Sequence, residues 1–336
     1  MRVSVVTPFY NTAPFLAQCV ESVLAQTHRN FEYLLVNNRS TDGSREIAQR
    51  YVAKDPRLRL IDNEAFVGQV ENYNGALERI GADCKYVKIV QADDALFPEC
   101  LERMVDVAER DPRIGLVSSY WLWGDKLMGE GIPFGTWRVQ GTEACRRMLV
   151  TKCFLVGSPS TVLYRADVVR ARKPFYALGH HHEDTEAAYE ILLEHDLGFV
   201  HQVLSFLRVD NPSITGSTRS FNPGHLDYLI AVERYGPEVL SGPEYEALSS
   251  REWTSYKMFL GSSCLRRRSS AFWDYHRKGL ATIGCELRMR EVLPYAAAAA
   301  ARLALNPWST LQRLASALRG RSPDAVSAGE LKLPMP

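Results

Sequence analysis

The stretch VSVVTPFYNTAPFLAQCVESVL, residues 3–24, decides the fold. Val3 to Val6 is a short run rich in β-branched residues, the composition of a strand, and Thr7-Pro8 ends it. Apolar side chains then recur at Phe15, Leu16, Cys19, Val20, Val23 and Leu24, the three-and-four spacing of one helix face. Thr12 stands where a helix N-cap is expected, and Pro14 falls in the first turn, where its missing N–H costs nothing. A second apolar run, Phe31 to Val36, leads into the polar turn Asn37-Asn38-Arg39-Ser40-Thr41-Asp42-Gly43 and a helical segment from Ser44 to Val52. Strand, helix, strand, helix is the order so far.

The alternation continues with strands at Leu58–Ile61, Tyr86–Val90 and Ile114–Ser118 and helices at Gly68–Ile80 and Pro98–Arg110. Such repetition predicts an α/β fold with a parallel sheet between layers of helices. Ligands in that architecture sit beyond the carboxyl ends of the strands, so the loops Pro8–Asn11, Asn37–Ser40, Asn63–Gly68 and Gln91–Ala95 are expected to converge. After residue 118 the pattern loosens: an aromatic, Gly-rich stretch (WLWGDKLMGEGIPFGTW, 121–137), a helix over Thr142–Leu149 and a strand over Ser160–Tyr164. From about residue 222 the chain reads as helices, including Glu246–Leu265 and an Ala-rich segment near 295. The expected division is a first domain over 1–220, a helical extension over 221–320 and a disordered tail over 321–336.

Hydrophobic residues at 46% and charged residues at 24% describe an ordinary globular protein. The formal net charge of +1 argues against nucleic acid as a partner, because neutralising many phosphates takes a clear excess of Lys and Arg. Seven scattered cysteines, none two residues apart from another, fit neither a zinc site nor a disulfide framework and predict a reducing, cytoplasmic setting. The opening MRVSVVTPFYN enters a strand directly and carries no signal-peptide pattern. The most apolar late stretch, Val292–Ala301, falls short of the roughly 20 residues that span a bilayer. With Arg302, Arg313 and Arg319, the segment 295–318 allows peripheral contact with an anionic membrane, a packed helix being the plainer reading.

Two acidic groups carry the chemistry. Gln91-Ala92-Asp93-Asp94-Ala95 puts adjacent carboxylates directly after an apolar strand, where they need a cation such as Mg²⁺ or Mn²⁺, or else water at the cap of the next helix. Glu183-Asp184-Thr185-Glu186 opens a helix whose apolar positions are Ala187, Ala188, Ile191 and Leu192. Carboxylates there favour the helix dipole, and one held near an acceptor hydroxyl can also act as general base. The run His180-His181-His182 does not have the three-or-four spacing by which helical ligands share a metal. Gly157-Ser158-Pro159-Ser160 lacks the lysine of a phosphate-binding loop.

Taken together, VSVVTPFYN (3–11), LLVNNRSTDGS (34–44), NEAFVGQVENYNGAL (63–77), QADDALFPE (91–99) and HEDTEAAYEIL (182–192) resemble the family 2 glycosyltransferases, over roughly residues 2–215. The resemblance implies a glycosyltransferase A fold, with a nucleotide-binding sheet and an acceptor-binding half, and transfer with inversion from a nucleoside diphosphate sugar, a UDP-sugar being favoured. It implies a nucleotide site built from Pro8, Tyr10, Asn11, Asn37, Asn38, Ser40, Gly68, Asn72, Tyr73, Asn74, Gln91, Ala92 and Asp93. Asp94 matches the direct ligand of Mn²⁺ or Mg²⁺, and Asp93 the ribose or outer partner. Asp184, with Glu183 beside it, matches the catalytic base. Arg208, Ser213 and Thr215 resemble the late segment that closes over the diphosphate. The implied acceptor is a glycan or lipid-linked precursor of a cell-surface polysaccharide.

Three positions depart from the family pattern. Asn37-Asn38 stands where an Asp is usual, Tyr73 precedes Asn74 where many relatives have Arg, and Asp210 stands near a late His. Two other readings share the layout: a nucleotide-sugar pyrophosphorylase, whose Gly-rich basic loop is replaced here by TPFYNTAPF, and a sugar-nucleotide-binding protein without catalysis.

Overall fold

The structure, a computed structural model, describes residues 1–178, 183–209, 219–266 and 268–305. The strands are β1 (Val3–Phe9), β2 (Phe31–Asn37), β3 (Leu58–Asp62), β4 (Tyr86–Ile89), β5 (Ala95–Leu96), β6 (Ile114–Trp123), β7 (Lys126–Met128), β8 (Arg138–Val139), β9 (Leu163–Arg165) and β10 (Asp196–Leu207). The helices are α1 (Ala13–Leu24), α2 (Ser44–Val52), α3 (Gln69–Leu77), α4 (Cys100–Ala108), α5 (Gly141–Thr151), α6 (Ala166–Ala171), α7 (Glu183–Glu194), α8 (Gly224–Val239), α9 (Gly242–Cys264), α10 (Ser270–Ala281) and α11 (Met289–Leu305). By internal contacts the chain divides into two units: Met1–Arg219 with Ile230–Leu248, and Ser220–Leu229 with the residues from Ser249 on. The expected tail, 321–336, and the late Arg313 and Arg319 lie outside the described residues.

The first unit is built on one sheet ordered β3-β2-β1-β4-β9-β6-β10-β5, with β7 on β6 and β8 on β10. Every residue of β1 and β2 is buried, as continuous apolar runs in a sheet covered on both faces require, whereas β3 at the edge is largely open. Leu16, Cys19, Val20 and Val23 carry α1 onto that sheet with no exposed area, each large side chain contributing about 1.5–3 kcal/mol of burial. The first four strands are parallel in the expected way, and chain order reverses direction across the sheet between β1 and β4.

Beyond β4 the sheet is mixed, not parallel throughout. β9 fills the slot between β4 and β6 and runs against both, with Tyr164 opposite Val87 on one side and Leu116 on the other. The expected strand over 160–164 is accordingly split into a 3-10 turn, Pro159–Thr161, and the short β9. The Gly-rich stretch after residue 118 is the continuation of β6 and its hairpin with β7. Thr12 holds the N-cap position without capping: its backbone departs from the extended shape that aims a hydroxyl at the first turn, and its Oγ1 is buried with no hydrogen-bond partner. Asp42 takes over, its Oδ2 accepting the Ala13 N–H at 2.9 Å.

The second unit is helical. His276 sits at its centre, fully buried, donating from Nε2 to the Phe221 carbonyl at 3.0 Å and accepting the Tyr256 hydroxyl on Nδ1 at 2.9 Å. Gly261 lets α9 meet α11, since a Cβ there would lie 2.6 Å from the Tyr295 backbone. No helix among the described residues is long and apolar enough to cross a membrane.

Candidate active site

The crevice at the carboxyl ends of β1 and β4 is where a ligand is expected, because the crossovers on either side leave by opposite faces. The turns around it are stitched to one another. Asn11 adopts a left-handed backbone (φ 50°), which asparagine tolerates better than most residues, and its Oδ1 accepts the Thr41 N–H at 2.8 Å while its own N–H donates to Ser40 Oγ at 3.1 Å. The Thr12 N–H donates to Ser44 Oγ at 2.8 Å. Burial tends to raise the Asp42 pKa, but hydrogen bonds from the Ser44 hydroxyl and the Ala13 and Ser44 amides hold it below the usual carboxylate range.

Asn37 and Asn38 are both buried, and both amides are engaged. Asn37 lies in register between Phe9 and Asp62; its Nδ2 donates to Asp62 Oδ1 at 2.7 Å and its Oδ1 accepts the Ser40 N–H at 2.9 Å. Asn38 forms a two-point bridge with Val67, donating to its carbonyl at 2.8 Å and accepting its N–H at 3.0 Å. Asn63 joins Asn38 to Asn72, donating to both side-chain oxygens at 3.2 and 2.8 Å. Pro8 is buried within β1, and Gly68 is the exposed N-cap of α3. Above these amides, exposed Tyr10 meets exposed Phe66 edge-on, ring centroids 4.8 Å apart.

The turn after β4 is held from three directions. Cys19 Sγ donates to the Gln91 carbonyl at 3.4 Å, the Gln91 N–H donates to Ser160 Oγ at 2.9 Å, and Arg208 at the end of β10 braces the acidic pair. The Arg208 N–H donates to Asp94 Oδ1 at 3.1 Å, its Nε to the Asp93 carbonyl at 3.1 Å and its Nη2 to Gln18 Oε1 at 2.7 Å, with the guanidinium 4.7 Å from the Phe15 ring centre. Ala92 and Asp94 are buried, while Gln91 and Asp93 are half-buried. Asp94 Oδ2 is buried with no hydrogen-bond partner. Burial pushes its carboxyl up to about 7, the neighbouring Asp93 charge adds to the shift, and Ser160 and Arg208 oppose it. A buried carboxylate with one oxygen unsatisfied and Arg208 as its nearby positive charge has room for a cation, and the residues present fit a divalent ion shared with a ligand. Among the described residues no group of three or more His, Cys, Asp or Glu side chains converges as a closed cage.

Glu183, Asp184 and Glu186 form the first turn of α7. Glu186 pairs with Arg234 at 2.7 Å, and half-buried Asp184 accepts the Thr185 N–H at 2.7 Å. α7 is set against the start of α5 by Gly141, where a Cβ would lie 1.9 Å from the Leu192 carbonyl oxygen. Three buried tyrosines lie between the two acidic groups. Tyr73 is raised by burial and further by the charges of Asp93 and Asp94; Tyr164 and Tyr176 are raised by burial and further by the charge of Asp184. Tyr73 and Tyr176 meet edge-on at 6.0 Å. The tyrosine that feels the acidic doublet and those that feel Asp184 belong to one packed aromatic cluster.

The turns bearing Pro8, Tyr10, Asn11, Asn37, Asn38, Ser40 and Asn72 come together, and the turn bearing Gln91 to Asp94 is fastened to α1 and to Arg208. Asn74 turns to Tyr176, its Nδ2 donating to the Tyr176 carbonyl and its Oδ1 accepting the Tyr176 N–H, both at 2.8 Å, while Tyr73 meets the Tyr176 ring and lies within the field of Asp93 and Asp94. Ser213, Thr215, Asp210 and the run His180–His182 lie outside the described residues. Phe66, Ser160 and Gln18 were not singled out from sequence; the one available signal was a large aromatic residue, Phe66, in a loop at a strand end.

Residues 4–169 match the family described as Glycosyl transferase family 2. The glycosyltransferase GlyG of Streptococcus pneumoniae serotype 4 is 34% identical over 120 residues, which are 35% of this chain and 39% of GlyG. The chain therefore spans well under two thirds of that relative's length. Among solved structures, S. aureus TarS 1-349 in complex with UDP-GlcNAc superposes with a TM-score of 0.61 at 17% identity, covering 84% of this chain and 80% of that one. The mannosyltransferase PcManGT from Pyrobaculum calidifontis, in complex with GDP-Man and Mn²⁺, gives 0.54 at 15% identity over 93% and 82%.

Proposed function

We propose that the chain, which matches glycosyl transferase family 2 over residues 4–169 and has the glycosyltransferase A fold, transfers a sugar, with inversion, from a nucleoside diphosphate sugar to a hydroxyl acceptor. The observation that carries this is Asp94: a buried carboxylate with one oxygen unsatisfied, at the crevice between β1 and β4. Tyr10 and Phe66 offer the base an aromatic surface, and the turns of Asn11 and Asn38 line its floor. Asp93 and Asp94 would hold Mn²⁺ or Mg²⁺, which supplies positive charge to the departing diphosphate. Asp184 takes the proton of the acceptor hydroxyl as its oxygen bonds to the anomeric carbon, while the bond from that carbon to the diphosphate breaks and the electron pair leaves with the phosphate. Attack from the face opposite the leaving group needs the base on a separate segment, as α7 is from β4.

A UDP-sugar is the favoured donor, and GlyG and TarS, a glycosyltransferase and a UDP-GlcNAc complex, support a nucleotide-sugar enzyme. The acceptor is a glycan or lipid-linked precursor of a cell-surface polysaccharide. Seven free thiols, four of them buried, support a reducing cytoplasmic setting, and exposed Leu293, Leu303 and Leu305 with Arg302 on α11 allow peripheral contact with a membrane surface. The test is product analysis across nucleotide-sugar donors with Mn²⁺. Nucleoside diphosphate should be released, and Asp94→Ala should lose that release. Pyrophosphate in its place would identify a pyrophosphorylase, and binding without turnover over the whole panel would identify a non-catalytic binder.

A further inference from the structure

Asn74 is buried on α3, and its side-chain amide makes a closed pair of hydrogen bonds with the backbone of Tyr176, 102 residues away in sequence. An amide is the side chain suited to this, since it offers one donor and one acceptor to a backbone that needs both. Tyr73, the preceding residue, supports the same point by meeting the Tyr176 ring edge-on, and Phe175 beside it packs 4.7 Å from Tyr176 and 5.3 Å from Tyr164. The fastened backbone stands eight positions before Asp184, and the Tyr176 and Tyr164 side chains both lie within the field of its carboxylate. On the other side, Tyr73 lies within the field of Asp93 and Asp94.

We infer that Asn74 is a positioning residue: its bridge ties the Tyr176 backbone, eight positions ahead of the catalytic base, to the helix that packs behind the nucleotide site. It acts through Asp184 and does not contact the nucleotide. The inference rests on the reading of Asp184 as base, so its test separates the two. Asn74→Leu removes both bonds, and Asn74→Asp keeps the acceptor for the Tyr176 N–H while losing the donor to the Tyr176 carbonyl.

In Asn74→Leu, kcat for transfer should fall by about 10- to 100-fold, the usual consequence of displacing a reacting group by about an ångström, with Asn74→Asp intermediate. The dissociation constant for the free nucleoside diphosphate, measured by calorimetry, should stay within about twofold, because a base acts after the donor is bound. Amide hydrogen exchange, read without substrate, should quicken at Tyr176 and over residues 183–190 in both variants. Weaker nucleotide binding with kcat preserved would overturn the inference and return Asn74 to the nucleotide site. Unchanged exchange at 183–190 would also overturn it, whatever the activity. Full transfer by Asp184→Asn would instead sink the base assignment, and with it any catalytic consequence of the bridge. If Asn74→Leu does not fold, Asn74→Asp decides through the same readouts.

Discussion

Asn38→Asp asks whether the amides of the second-strand turn belong to the fold. The native side chain is 3% exposed and makes three hydrogen bonds, to the Val67 carbonyl at 2.8 Å, from the Val67 amide at 3.0 Å and from Asn63 at 3.2 Å. A carboxylate keeps the two acceptor contacts but sets an oxygen against the Val67 carbonyl. Leaving that carbonyl unsatisfied costs about 1–3 kcal/mol and desolvating the new charge adds to it, so a loss of about 3 kcal/mol at neutral pH is expected. The protonated acid can donate to Val67 and the carboxylate cannot, so the introduced group's pKa is higher in the folded than in the unfolded chain. A group raised in this way contributes stability that is complete below its unfolded pKa and is lost as pH rises through its folded pKa. The deficit relative to the native protein should therefore shrink toward acid. Urea unfolding of both proteins at about pH 7 and about pH 4.5 reads the difference, with each background's own pH dependence cancelling in the comparison. Equal midpoints at neutral pH, or a deficit that does not change with pH, would refute the reasoning.

His276 gives a pH dependence of the opposite sense. Burial lowers its pKa to about 4, so between there and the unfolded value near 6.5 only the unfolded chain takes the proton; stability should fall as pH drops through that window, by about 3 kcal/mol in all. Its ring resonances in NMR should stay those of neutral imidazole down to about pH 5, and titration near 6.5 would show that the ring is not held as described. Gly141→Ala should cost more than about 2 kcal/mol, because the added methyl meets backbone rather than a yielding side chain. An unshifted melting temperature would show that α5 and α7 do not meet there.

The first half of the sheet was legible because β1, β2 and β4 are buried on both faces and read as mostly apolar runs broken only by single polar residues such as Ser4, Glu32 and Lys88. β10 was not legible: its pairing with β6 is broken by register shifts at Asp196/Leu197, Val200/Val203 and Val203/Ser205, which erase the period of two that marks a strand. β9 is only three residues long, and its partners lie in β4 and β6, so nothing local announces its direction. At the site, the residue types at strand ends were readable while their partners were not. Asp93-Asp94 stood out because adjacent carboxylates after an apolar strand demand an explanation. Asn38 and Asn74 stood out only through the family resemblance, and their bonds to the Val67 and Tyr176 backbone have no local signal, because those partners lie far off in sequence.

The same amides bear on where charge collects in the crevice. Asn37 donates to Asp62 Oδ1 at 2.7 Å, and Asp62 is gripped in turn by both Nε and Nη2 of Arg45, which holds it below the usual carboxylate range ahead of the Asn37 contribution. An acid at position 37 would set two like charges in contact, a repulsion of roughly 4 kcal/mol at 4 Å for an effective dielectric of 20, and would compete for the one arginine. With amides at 37 and 38, Arg45 is committed to Asp62, Asp42 is satisfied by helix amides, and no net negative charge is added at the end of β2. The unsatisfied anionic oxygen then lies at the end of β4, on Asp94. Neutral asparagines at the end of β2 and an unsatisfied carboxylate at the end of β4 are compatible demands: the first leaves the turn to be held by hydrogen bonds alone, and the second would leave a cation one strongly attractive place to sit. An enzyme of this chain that lost metal affinity on Asn37→Asp, with Asp93 and Asp94 intact, would show the reverse, that the two turns are not electrically separate.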